Sequence, residues 1–153
     1  MLGLQVSYRD KEQVKRLIKV NKLPAVVPVT PGFREMELRD VPGVTELLRN
    51  YLCQFRVATD FDENDVKHWL LPRKDVVHCY VVECPITHDL TDLCSFYTVS
   101  LTIDDGNRNL IHNTVICAYS YYNVATQTPL PQLINDAPIV ANQKGIDVST
   151  RWM

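Results

Sequence analysis

Hydrophobic and polar positions follow two different periods along this chain. Phe33, Glu35 and Glu37 alternate with Arg34, Met36 and Leu38, which predicts a short strand. Val44, Leu47, Leu48, Tyr51, Leu52 and Phe55 then recur at helical spacing, with Asp40 placed as an N-cap and Pro42 inside the first turn. A second helix is predicted from Asp62, with Val66, Trp69 and Leu70 as its apolar side and Pro72 as its stop. Three apolar strands follow: Val76 to Cys84, Leu93 to Leu101 and Val115 to Val124. Asp104-Asp105-Gly106-Asn107 is a strong turn signal between the last two. Thr126 to Lys144 has one apolar helical face, Gly145 suits its end, and Ile146-Asp147-Val148 begins a last strand.

A helix between the final two strands implies a crossover. The order therefore predicts a mixed α/β fold, a mixed sheet covered by helices. The organisation expected is an arm or linker over 1–31, a domain over 32–148 and a divergent tail over 149–153. Pro24, Pro28 and Pro31 punctuate the end of the arm, where Val26 to Val29 fits a short edge strand. Pro138 interrupts the third helical pattern. It removes the bond to Ile134 and clashes there, at a cost of roughly 3 kcal/mol.

Composition narrows the function classes. With 46% hydrophobic and 22% charged residues, the 153-residue chain can bury a core and is not of disordered type. A net charge of −2 gives no electrostatic grip on nucleic acid or an anionic membrane. The basic run from Lys11 to Lys22 reads as a solvated face. No apolar run is long enough to span a bilayer, and the start becomes charged too early for a secretory signal. Gly3 does not directly follow Met1, so this start is not itself a myristoylation site.

The five cysteines, Cys53, Cys79, Cys84, Cys94 and Cys117, form no C-x-x-C pair, and four sit in apolar surroundings. Reduced, buried thiols are expected rather than a zinc site, and strand alternation should point His78 and Cys79 apart. His68 is expected on a helix surface. Phosphate-cradle, nucleophile-elbow and dinucleotide motifs are absent from the sequence. The densest feature is aromatic: Phe96, Tyr97, Tyr119, Tyr121 and Tyr122 on two neighbouring strands. Alternation sends Tyr119 and Tyr121 to one face and Tyr122 to the other. Spacing alone leaves open whether these rings pack the sheet or line a pocket.

The run Ala118-Tyr119-Ser120-Tyr121-Tyr122-Asn123-Val124-Ala125-Thr126-Gln127-Thr128-Pro129-Leu130 resembles a strand-to-helix stretch of N-myristoyltransferases. Ser95-Phe96-Tyr97-Thr98, Lys67-His68-Trp69-Leu70-Leu71-Pro72 and Arg49-Asn50-Tyr51-Leu52-Cys53-Gln54-Phe55 resemble further stretches in the same order. The resemblance runs from about Leu17 to Val148 and is nearest in wording to plant members.

That resemblance implies an acetyltransferase-like fold, here incomplete, because the family builds two such halves. It implies transfer of myristate from myristoyl-CoA to the amino-terminal glycine of proteins. The amino-terminal half of the family holds myristoyl-CoA and the oxyanion amides. In the family the complete enzyme's own terminal carboxylate acts as base, and the carboxy-terminal half builds much of the peptide groove. Carried over by position, Tyr97, Leu101, Val115 and Tyr119 are the expected peptide-contacting residues, with no catalytic residue and no bound cofactor on this chain. Leu101 stands where the family has a serine, which removes a hydroxyl from that groove. The expected partners are glycine-starting peptides, held weakly. A second expectation is association with itself or a full-length relative through an uncovered apolar face.

Overall fold

The computed structural model describes the backbone of residues 27–103, 113–146 and 148–149, and the side chains of 27–100 and 116–146. Five strands form one sheet in sequence order: β1 (Phe33–Glu35), β2 (Val77–Glu83), β3 (Leu90–Ile103), β4 (Asn113–Ala125) and β5 (Val148–Ser149). The first four pair antiparallel, and β5 runs parallel to β4. The helices are α1 (Val41–Leu52), α2 (Glu63–Trp69) and α3 (Leu130–Gln143), with α3 as the crossover between the parallel strands.

Strand alternation divides the core into two layers. Cys79, Val81, Leu93 and Val124 face α1 and α2, where Val44, Leu48, Val66 and Leu70 are buried. Tyr80, Val82, Cys94, Phe96 and Ala118 face α3, against Leu133, Ala137, Val140 and Ala141. His78 stacks on Phe96 at 4.9 Å on the α3 side, so it does point away from Cys79.

Three local expectations are corrected. Asp40 sits at the N-cap of α1, yet its side chain accepts from no amide of that helix; it accepts instead from the Glu37 amide at 2.7 Å, one turn earlier. Arg34 claims that carboxylate as well, donating from Nη1 at 2.7 Å and from Nη2 at 2.8 Å, a two-point charged contact that a cap cannot match. Nε of Arg34 also donates to Glu83 at 2.7 Å, which joins β1, α1 and β2. Residues 27–29 form no strand; the amides of Val29 and Thr30 donate to the buried carboxylate of Asp136 on α3, at 2.8 and 3.0 Å. Finally, α3 begins at Leu130 rather than Thr126, because the amides of 126–128 are held by a side chain, as described below.

The other boundaries differ by a few residues. α1 stops at Leu52 and leaves Phe55 exposed, while β3 and β4 are longer than their apolar cores. At α2, Asp62 caps as expected: it accepts from the Asp65 amide at 2.8 Å. α3 continues through Pro138. Three cysteines are buried rather than four; Cys84 is half-buried, Cys53 exposed, and none of the five is in a disulfide. The turn at 104–107, nearly all of the arm, Asp147 and residues 150–153 lie outside the described residues. No described helix is long and apolar enough to cross a membrane.

Candidate functional site

Tyr97 forms the last pair of β3 with β2, and beyond it β3 and β4 continue together as a ribbon that β5 flanks at Cys117 and Ala118. Its register opposes Tyr97 to Tyr119, Val99 to Cys117 and Leu101 to Val115. The four residues expected to contact peptide are therefore two cross-strand pairs, four positions apart on one face. The Tyr97 and Tyr119 rings stack with centroids 5.6 Å apart and planes at 16°. For Leu101 and Val115 the register is described and the side chains are not.

Tyr121 meets Tyr97 edge-on at 5.9 Å and Tyr122 at 4.7 Å, and Tyr122 meets Phe61 edge-on at 5.1 Å. All these rings form one cluster on the face that carries α1 and α2. Tyr97 and Tyr121 remain 37% and 38% exposed, so part of the cluster is available to a ligand. Burial, then the neighbouring phenols of Tyr122 and Tyr97, raise the pKa of Tyr121. Its hydroxyl stays neutral at physiological pH, able both to donate and to accept.

This arrangement corrects the expected position of Tyr122. Cys94 pairs with Asn123 and Phe96 with Ser120, so two residues of β4, Tyr121 and Tyr122, oppose one residue of β3, Ser95. Such a bulge turns both of its residues to the same side. Simple alternation fails at that point, and Tyr122 joins Tyr119 and Tyr121. Ser95 is fully buried. Its Oγ donates to the Tyr122 carbonyl at 2.8 Å and accepts from the Tyr122 amide at 2.9 Å.

A second buried polar residue fixes the loop after β4. The carboxylate of Asp92 accepts from the amides of Thr126 (2.6 Å), Gln127 (2.9 Å) and Thr128 (3.2 Å). The hydroxyls of Thr91 and Thr128 donate to it at 2.8 Å each. Burial opposes the charged form, and the donors from Gln127, Thr128, Thr91 and Thr126 outweigh it, so the carboxyl titrates below the usual aspartate range. Neither Ser95 nor Asp92 was assigned a role from sequence. The available signal was a small hydroxyl and a charge inside an apolar strand, where each must find partners.

Among the described residues, burial also shifts other titratable groups of the sheet. Burial pushes the Cys79 thiol up, and the Cys94 thiol up to about 12, so neither is a ready thiolate. Burial, and then Lys144, lower the pKa of His78. His68 lies on the exposed side of α2. Among the described residues, no group of three His, Cys, Asp or Glu side chains is placed to hold a metal ion.

An antiparallel sheet with a parallel last strand, covered by helices on both faces, is the architecture of the acetyltransferases. A Trypanosoma brucei acetyltransferase superposes with a TM-score of 0.52 at 15% identity, over 77% of this chain and 79% of that one. With that fold, the chain belongs to the N-myristoyltransferases: the family described as "Myristoyl-CoA:protein N-myristoyltransferase, C-terminal domain" matches residues 5–151. Glycylpeptide N-tetradecanoyltransferase 1 of Arabidopsis thaliana is 67% identical over 135 residues, 88% of this chain and 30% of that protein. Glycylpeptide N-tetradecanoyltransferase 2 of Bos taurus is 42% identical over 135 residues, 88% of this chain and 26% of that protein. The N-myristoyltransferase of Saccharomyces cerevisiae, solved with myristoyl-CoA bound, superposes with a TM-score of 0.75 at 28% identity, over 88% of this chain and 36% of that one. The chain thus spans 30% and 26% of the length of these two curated relatives.

Proposed function

We propose that these residues form the peptide-groove lobe of a myristate-transferring machine and are catalytically silent by themselves. The supporting observation is the ribbon face, where Tyr97 stacks on Tyr119 and Leu101 opposes Val115. A half-exposed aromatic step beside an aliphatic pair suits an extended peptide that begins with glycine. Its small first residue lets the backbone approach the rings, and the tyrosine hydroxyls can meet its polar groups. Leu101, where the family resemblance implies a serine, offers such a peptide no side-chain hydrogen bond, so affinity is low.

Acyl transfer needs three things held together: the thioester, an oxyanion site and a base for the amine. In this reading none of the three is supplied by residues 1–153; myristoyl-CoA is held by a lobe outside them. The match to less than a third of the curated relatives' length supports that division. A transfer assay tests it. Purified chain with myristoyl-CoA and a glycine-starting peptide should give no product above a no-protein control and no tight binding of myristoyl-CoA. Turnover, or tight capture of the thioester by this chain alone, overturns the reading.

A further inference from the structure

We infer that Ser95 is a positioning residue for the aromatic face: its hydroxyl holds the β4 bulge that brings Tyr121 and Tyr122 onto the same side as Tyr97 and Tyr119. The extra residue of a bulge loses its ladder partners. Here those orphan groups are the amide and carbonyl of Tyr122, and one side-chain oxygen serves both. Ser95 has no exposure, so water is not available to replace it. On its other edge Ser95 keeps ordinary register with Cys79 of β2, which anchors it in the sheet.

The consequence reaches the ligand face. Without the bulge, β4 alternates without interruption, and either Tyr121 or Tyr122 must turn toward α3. That side is already filled by Phe96, Ala118, Leu133 and Ala137. With the bulge, Tyr122 is wedged between Phe61 and Tyr121, and Tyr121 is set edge-on against Tyr97. Ser95 touches no ligand position itself. It selects which rings any bound peptide meets.

The affinity consequence rests on the peptide-groove reading above; the geometric one does not, and NMR on the full chain separates them. In the wild type, the Tyr122 amide should exchange slowly, and ring-to-ring NOEs should link Tyr122 with Phe61 and Tyr121. Ser95→Ala should expose that amide to exchange and weaken the Tyr97–Tyr121 NOE. It should also raise the dissociation constant of a glycine-starting peptide about tenfold, the weight of one positioned aromatic contact. Leu133→Ala serves as control: it thins the opposite core and should leave all three NOEs and affinity unchanged.

Unchanged NOEs in Ser95→Ala, or an equal affinity loss in Leu133→Ala, overturn the inference. If Ser95→Ala does not fold, the wild type decides: a Tyr122 ring in contact with Leu133 instead of Phe61 overturns it. A wild type that binds no peptide but shows these NOEs, with their loss in Ser95→Ala, sinks the groove reading and upholds the role of Ser95 in setting the face.

Discussion

Asp92 accepts a 2.6 Å hydrogen bond from the amide of Thr126, which lies 34 residues further along the chain. Together with Gln127 and Thr128 this makes one buried carboxylate the organiser of the turn from β4 into α3. Asp92→Ala should remove the charged acceptor of three part-buried amide bonds, each worth about 1.5–3 kcal/mol. A loss of at least about 3 kcal/mol by urea unfolding is expected, against an outcome within 1 kcal/mol if water fills the gap.

The same carboxylate gives stability a pH dependence. Asp92, Asp40 and Glu83 all titrate below their ordinary ranges in the folded state. For Asp92, burial is overcome by its amide and hydroxyl donors; for Asp40, the Arg34 contact leads; for Glu83, His88 and then Arg34. The unfolded chain takes up protons first as pH falls. Their stabilisation is therefore complete above about pH 5 and disappears as pH drops through about 4 and below. Thermal melts from pH 7 to pH 3 should show a falling midpoint, with a shallower fall in Asp92→Asn. A midpoint that rises on acidification would contradict the assignment.

Two glycines with the same backbone angle separate strain from space. Gly32 and Gly145 both have φ of +76°, but a Cβ at Gly32 would run into the Glu83 carbonyl oxygen, whereas at Gly145 no atom of the described residues beyond its chain neighbours lies within 4 Å. Gly145→Ala should cost about 1 kcal/mol from conformation alone. Gly32→Ala adds a backbone clash and should cost about 3 kcal/mol or more. Equal losses would show that the β1–β2 contact yields easily.

Pro138 lies inside α3, where it cannot donate to Ile134. Pro138→Ala should restore that bond and raise stability, by up to about 3 kcal/mol. A lower melting temperature in the variant would mean that the half-buried ring contributes more by packing than it removes from the helix.

How far the sequence reveals this molecule depends on the range of the interaction concerned. The helices around Leu48 and Val66 and the apolar strand cores announce themselves by period, because burial acts on every turn or every second residue. The Asp62 cap is legible for the same reason: donor and acceptor are three residues apart. Asp40 looked equivalent, but its partner Arg34 comes from a neighbouring strand and outbids the helix amides. Asp92 reaches across 34 residues, and Asp136 fastens Val29 across 107. Neither pairing leaves a local trace. Likewise Tyr97, Leu101, Val115 and Tyr119 were named through family resemblance, but their pairing needed the register. The side on which Tyr122 falls needed the bulge at Ser95.

The peptide groove itself is tested most directly by titrating a glycine-starting peptide into the isotope-labelled chain and following the Tyr97 and Tyr119 signals by NMR. The account predicts saturable, low-affinity shifts centred on these two residues, reduced at least tenfold in affinity by Tyr97→Ala with Tyr119→Ala. No shifts at millimolar peptide, or the same shifts in the double variant, would contradict it.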